Sequence, residues 1–328
     1  MSTNIAFLGY GSIARLHVRA IQRLQVTPEG RDLRLYGVMG RDGKTTEEFA
    51  REFGMVVATT DLQRILDDPE VDVVVICSPT DLHPDQAERS LRAGKHVLCE
   101  IPIATSLADT DRVLRAADES GKTLMVCHTQ RFYSGLIEAR RMIAGGDLHP
   151  YALVGRHIRL RRENVNWKGR RRTWTDNLLW HHGCHSVDIA LWLLGATDVD
   201  VTAQVALPSG NLNIPMDLTI VMRTPDDQIA TIVMSYNSHF DLHDYLVFGE
   251  ETAVVWQEDE LRTPEGRLAG SKDGAAQDDA ILRQDAEFFS ALREGREAEV
   301  SPRAARPAMV VLQAVQDILD ARQRSAAG

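Results

Sequence analysis

The sequence predicts an α/β protein. It has an N-terminal, doubly wound parallel sheet, then an α/β domain with a large open, mostly antiparallel sheet. Three observations carry that expectation. Over the first 130 residues, short and almost continuously apolar runs alternate with amphipathic stretches, the pattern of strands covered on both faces by helices. A glycine-rich turn closes the first of those runs. After about residue 150 the apolar runs follow one another with only turn signals between them, which favours antiparallel pairing.

In the first part the strand runs are Asn4–Gly9, Leu33–Met39, Val71–Ser78, His96–Glu100 and Thr123–His128. Helix patterns lie between them, including Thr46–Phe53 closed by Gly54 and Pro84–Ala93 closed by Gly94. In the second part the helix Ser186–Leu194 precedes strand runs at Val199–Leu207, Met216–Thr224, Gln228–Tyr236, Asp244–Gly249 and Thr252–Gln257. Two helices close the chain, around Asp278–Glu294 and Ser301–Arg322, and Leu268–Asp279 reads as a loop. The expected division is residues 1–130 and residues 131–328, with the closing helices able to pack back on the first domain.

Composition narrows the function. The 328 residues are 44% hydrophobic and 26% charged, with a formal net charge of −10. That balance argues against nucleic-acid or membrane-surface partners. The four cysteines are scattered singly and read as buried thiols in a reducing compartment. Neither a signal-like N-terminus nor a membrane-length apolar run stands out, so a soluble, cytoplasmic protein is expected.

Gly9-Tyr10-Gly11-Ser12-Ile13-Ala14 is a G-x-G-x-x-A run between a strand and a helix. The first glycine permits the tight turn, and Gly11 lets backbone approach a pyrophosphate. The N–H groups of Ser12 and Ile13 open the helix that would hold it. In this β-α-β context the motif reads as a Rossmann dinucleotide site. The second strand lacks the ribose-binding acid: Gly40 stands there and Arg41 follows. An arginine suits a 2′-phosphate, so NADP is expected over NAD, with Asp42 keeping NAD open.

His181, His185 and Asp188 are spaced i, i+4 and i+7, so a helix puts them on one face; His182 points about 100° away. This face suits proton transfer, because a neutral imidazole is matched to pH 7. His185 and His181 are the candidate bases, and Asp188 is either an orienting partner or a helix charge. His182 is either a core histidine or a substrate contact. The i, i+4 pair could also hold a metal, but no cysteine or carboxylate apart from Asp188 obviously converges on it, hydride transfer needs no Lewis acid, and no metal is assigned. Arg159–Trp174 carries six arginines and one lysine against one glutamate, a bias that suits an anion. If His157–Glu163 is a strand, Arg162 falls on the face opposite His157. Arg162 and the loop after it, with Asn164, Arg172 and Trp174, are then expected to approach the histidines, and Arg131 is a further carboxylate contact.

Gly9–Ala14, Ser78–His83, Ala93–Pro102, His128–Phe132 and the histidine segment together resemble the Gfo/Idh/MocA oxidoreductases over essentially the whole chain. The resemblance implies oligomers, a homodimer or homotetramer, built through the C-terminal sheet. It also implies cofactor contacts at Ser78, Pro79, Thr80, His83 and Glu100. Two departures stand out. Glu100-Ile101-Pro102 replaces the family's usual Glu-Lys-Pro, and His181 stands where an aspartate is usual. A subgroup of the family acting in protocatechuate 4,5-cleavage is similar in these departures and in the pattern from Arg161 to Asp188. Its likeness implies NADP-linked oxidation of the cyclic hemiacetal of 4-carboxy-2-hydroxymuconate-6-semialdehyde to 2-pyrone-4,6-dicarboxylate. The alternatives are an NAD(P)H-dependent reductase of another carboxylated aldehyde, ketone or imine, and a non-catalytic nucleotide-sensing regulator.

Overall fold

The computed structural model describes residues 2–165, 177–270 and 275–327. The chain divides into two units: Met1–Thr129 with Gln277–Arg306, and Gln130–Ala276 with Pro307–Gly328. The second half therefore does not stay together, since a segment of it belongs to the first unit.

The first unit holds strands β1 (Thr3–Leu8), β2 (Leu33–Met39), β3 (Val57–Thr59), β4 (Val73–Ile76), β5 (His96–Cys99) and β6 (Leu124–Val126). They form one parallel sheet in the order β3-β2-β1-β4-β5-β6. The apolar runs form strands because they are covered on both faces: β4 is fully buried along its length. The helices between them are α1 (Ser12–Gln25), α2 (Gly43–Phe53), α3 (Leu62–Leu66), α4 (His83–Arg92) and α5 (Leu107–Ser120). Strand order reverses between β1 and β4, and ligands of such sheets bind outside the strand C-termini at that point.

The second unit opens with α6 (Ser134–Gly145) and β7 (Pro150–Leu160). A π-helical turn, Leu178–His182, then leads into α7 (Gly183–Leu194). Next come β8 (Asp200–Val205), β9 (Asp217–Arg223), β10 (Ile229–Ser235), β11 (Asn237–Gly249), β12 (Ala253–Gln257), β13 (Glu260–Thr263) and β14 (Gly266–Ala269). The sheet order is β14-β13-β12-β11-β7-β10-β9-β8, and every pair is antiparallel except β7 with β10. Helix α8 (Ala276–Glu294) belongs to the first unit save its first residue, and α9 (Pro302–Ala327) begins in the first unit and continues in the second. In the first unit Leu16 and Ala20 of α1 bury themselves against Ile281 of α8. No helix among the described residues is long and apolar enough to cross a membrane.

Alternation along β9 and β10 is regular: Leu218, Ile220, Met222, Ala230, Ile232 and Met234 are buried and their neighbours are not. At the middle of β7 the buried position is Gly155, which pairs with Tyr245 on one side and Ile232 on the other. A Cβ at Gly155 would lie 2.8 Å from Ile232 Cδ1 and 2.9 Å from Tyr245 Cδ1, so the glycine is what lets the Tyr245 ring lie on the sheet. Gly155→Ala is expected to cost about 1–3 kcal/mol through overpacking, read as a lower urea midpoint at unchanged slope.

Candidate active site

In the first unit the chain turns sharply after β1. Gly9 has φ +109°, and a Cβ there would sit 2.6 Å from the carbonyl oxygen of Cys77. A side chain is therefore excluded both by conformation and by the neighbouring β4 end. Around Gly11 a Cβ would meet nothing within 4 Å, so the backbone there borders open space. Gly11 N-caps α1 without a side-chain bond, and Ser12 and Ile13 begin the helix half-buried. This turn fits a dinucleotide. Backbone can approach a pyrophosphate at Gly11, and the N–H groups that open α1 suit an anion.

At the end of β2, Gly40 is fixed by packing. A Cβ there would lie 2.1 Å from Cε1 of Tyr10 and 2.6 Å from Oγ1 of Thr46. The position where an acid would reach a ribose therefore cannot hold one while Tyr10 lies over it. Asp42 is spent otherwise: its Oδ1 accepts from Thr45 N at 2.8 Å and Thr45 Oγ1 at 2.6 Å, capping α2. Those bonds hold its carboxyl below the usual range. Arg41 is exposed beside it.

The turns after β4 and β5 are braced by side chains expected at the cofactor. Ser78 donates to Gln86 at 2.6 Å. Pro79 and Thr80 lead into a short 3-10 turn. His83 is buried, with Nδ1 2.8 Å from the Pro102 carbonyl and Nε2 2.9 Å from the Ser78 carbonyl. It ties the two turns together, and both its ring nitrogens already face backbone carbonyls. Glu100 Oε1 lies 2.9 Å from Nε2 of His17, whose Nδ1 lies 2.9 Å from Oδ2 of Asp285. His17 and Asp285 had no role in the sequence reading. Their positions are 268 apart, and nothing local pairs them.

The second unit gathers histidines from three elements. Asn177 caps the π-helical turn, accepting from Leu179 N at 2.9 Å and Trp180 N at 3.4 Å. Such turns recur at functional sites. His181 and His185 are half-buried. His182 is stacked on His157 of β7, with centroids 3.8 Å apart, and His157 adjoins His243 of β11 at 4.7 Å. Gln130 organises one end. Its Oε1 accepts from Tyr245 OH at 2.6 Å, so its amide nitrogen donates to His243 Nε2 at 3.2 Å. His243 is therefore neutral there. Burial, joined by neighbouring imidazoles and Arg159, pushes His157 and His182 well below their ordinary range. Burial also takes His243 down to about 4, against Asp244 and Asp241.

The arginines differ from expectation in two respects. The alternation of β7 is as expected, but the face that carries His157 is the one toward the histidine helix. Arg159 and Arg161 therefore border the cluster, and Arg162 does not. Arg161 donates to Tyr236 OH at 3.1 Å and Asn164 Oδ1 at 3.0 Å, and its guanidinium lies 5.1 Å over the Tyr236 ring. Tyr236 in turn meets His182 edge-on at 5.6 Å. Arg162 is exposed and donates to the carbonyls of Tyr236 and Arg161 and to Asn237, which corrects its expected approach to the histidines. Asn164 is half-buried beside Arg161; Arg172 and Trp174 lie outside the described residues. Arg131, expected to grip substrate, gives its fork to Asp188: Nε to Oδ2 at 2.8 Å and Nη2 to Oδ1 at 2.6 Å. Both are buried, so the pair ties α7 to the segment before α6. Of the residues the sequence did not single out, His157 and His243 stand on inward strand positions, and alternation was the available signal.

Residues 3–128 match the model of an oxidoreductase family with an NAD-binding Rossmann fold, and residues 138–268 match that of the C-terminal domain of bacterial oxidoreductases. The chain belongs to the Gfo/Idh/MocA oxidoreductase family. One relative, the 4-carboxy-2-hydroxymuconate-6-semialdehyde dehydrogenase of Sphingobium sp. (strain SYK-6), is 31% identical over 90% of this chain and 92% of its own length. Another, the NADP(+) scyllo-inositol 2-dehydrogenase of Bacillus subtilis, is 31% identical over 49% of this chain and 45% of its own. Levoglucosan dehydrogenase, solved with NADH and levoglucosan, superposes with a TM-score of 0.86 over 98% of both chains at 19% identity. This Gfo/Idh/MocA member is thus an oxidoreductase, with the fold expected of the family.

The neutral histidines have a consequence for acid stability. Unfolded, each titrates near 6.5; folded, each holds its proton less well. The unfolded state then binds more protons as pH falls. The stability this cluster supplies is complete above about pH 6.5 and is lost as pH drops toward about 4. Thermal unfolding between pH 7.5 and 4.5 is expected to show a falling Tm, with a shallower slope in His243→Gln.

Proposed function

We propose that this oxidoreductase uses NADP to oxidise the cyclic hemiacetal of a carboxylated semialdehyde, 4-carboxy-2-hydroxymuconate-6-semialdehyde, to the lactone 2-pyrone-4,6-dicarboxylate. The observation that carries the reading is a group of neutral imidazoles bordered by Arg159 and Arg161, two cations on the face that carries His157. Likeness to the Sphingobium semialdehyde dehydrogenase over most of both chains supports the substrate class. The oxidation removes a hydride from the hemiacetal carbon and a proton from its hydroxyl. When bound, the nicotinamide supplies the hydride acceptor.

The proton is the protein's task. His185 is assigned as its acceptor, with His181 second, since both are half-buried on the segment that leads into α7. A hemiacetal hydroxyl is more acidic than a simple alcohol, so the uncharged Ile101 beside Glu100 is tolerated. Asp188 fixes α7 through Arg131 and does not itself move the proton. Arg161, with Arg159, grips a carboxylate, and the planar fork of Arg161 is already oriented by Tyr236. Arg41 is assigned to the 2′-phosphate, with Asp42 withheld by its cap.

The experiment is steady-state kinetics, followed by nicotinamide absorbance, on a panel of semialdehydes in their cyclised form, each as acid and as monoester. The dicarboxylate is expected to be the best substrate and its ester a poor one. His185→Asn is expected to lower kcat by roughly 10²–10⁴ with cofactor affinity kept. Arg161→Lys is expected to raise KM, and Arg162→Ala to leave it near normal. Equal rates on acid and ester would sink the carboxylate assignment, and cofactor binding without turnover on any substrate would favour a nucleotide sensor.

The cofactor preference has its own check. Fluorescence titration is expected to show tighter binding of NADPH than NADH, and Arg41→Ala to erode the difference by roughly tenfold, the scale of one charged hydrogen bond. Equal wild-type affinities would remove the assignment to NADP.

A further inference from the structure

The first unit buries a charged group that the glycine turn does not use. His17, on the second turn of α1, is fully enclosed. Its Nδ1 lies 3.0 and 2.9 Å from the two carboxyl oxygens of Asp285, and its Nε2 lies 2.9 Å from Glu100 Oε1. Both neighbours are carboxyl groups, so each contact needs a hydrogen. A neutral imidazole brings one. The second is an extra proton, whichever of the three groups carries it. Two carboxylates and one extra proton leave one net negative charge. The charges acting most on His17 and Asp285 are one another and Glu100. Ile101, next in the chain, is buried and uncharged.

Glu100 is where this charge reaches the surface. The His17 and Asp285 side chains are 0% exposed and that of Glu100 is 13%. Glu100 directly follows β5, next to β4, on the side of the strand reversal away from β2 and β3. A doubly wound sheet holds the two halves of a dinucleotide over its two halves. Gly40 and Arg41, at the end of β2, lie on the adenosine side, which leaves Glu100 on the nicotinamide side.

An oxidised nicotinamide ring is positively charged, and hydride addition neutralises it. We propose that the His17–Asp285–Glu100 group tunes the cofactor electrostatically, binding the oxidised form in preference to the reduced form through Glu100. The inference rests on the reading of the glycine turn as a dinucleotide site. A charge held among buried groups is weakly screened, so it acts over several ångströms. It favours loading of the oxidised cofactor and release of the reduced one, the direction a dehydrogenase needs. His17 and Asp285 act through Glu100 and are positioning residues.

The test is separate titration of the full-length protein with NADP+ and NADPH by calorimetry. Glu100→Gln is expected to weaken NADP+ about tenfold relative to NADPH. That change raises the potential of the bound cofactor by about 30 mV for a two-electron couple. Asp285→Asn replaces a carboxylate with an amide that can itself donate to His17 Nδ1, so the extra proton leaves with the lost charge, one net negative charge stays at Glu100, and the preference for NADP+ is expected to be kept. Glu100→Asp keeps the charge and is expected to restore the wild-type ratio. If Asp285→Asn does not fold, the two Glu100 variants decide. Equal weakening of both forms, or an unchanged ratio in Glu100→Gln, would overturn the proposal while leaving the dinucleotide site in place. Failure of the wild type to bind either form would remove that site and this proposal with it.

Discussion

The reversal of strand order between β1 and β4 is the constraint on which the first unit depends. It opens a gap at the sheet's C-terminal edge, and the residues there are set by the need to keep that gap clear. Gly9 is pressed against the Cys77 carbonyl, and Gly11 borders open space. His83 ties the turn after β4 to the turn after β5. Without that tie nothing from His83 would join the two turns, and each would keep only its own braces, Ser78 to Gln86 and Glu100 to His17. The chemistry of a dinucleotide site is thus written in backbone, and the side chains around it mostly hold backbone still.

The second unit works the other way. Its sheet offers a broad surface, and the histidine cluster is made by side chains that stand on it and on the helix beside it. Gly155 gives up its side chain so that Tyr245 can lie down, Tyr245 orients Gln130, and Gln130 fixes the protonation of His243. His157 and His182 are stacked closely enough that charging both would be costly. The buried Arg131–Asp188 pair fixes α7. Breaking such a pair is far more costly than never having made it, so α7 is committed to one placement once the pair forms.

Much of this was legible in the chain. β1, β2, β4, β5 and β6 stand where apolar runs stand, because a strand covered on both faces has no polar side to disguise it. β3 has three half-buried residues and no such run. β13 and β14 are polar and short, and their pairing comes from the turn between them. The glycine turn was legible because its demands are local. The face of β7 was not: alternation says that His157, Arg159 and Arg161 share a side, but only packing says which side meets a helix. Asp42 stood where two local demands compete, a ribose or a helix cap, and the cap took it. His17 and Asp285 meet because α8 belongs to the first unit, and no spacing in the sequence records that.

Gly40 beneath Tyr10 carries an evolutionary consequence. Cofactor choice is often imagined as one substitution at the end of the second strand. Here an acid introduced at Gly40 would strike the Tyr10 ring, with its first carbon at 2.1 Å. A lineage drifting toward the other dinucleotide would have to shrink Tyr10 first, or change both residues together. The first path passes through a variant that has lost the ring's cover before it has gained the acid's grip, and the second needs two changes at once. A preference for NADP, as proposed, would then be held by historical inertia as well as by affinity, and the residue that holds it need not touch the cofactor.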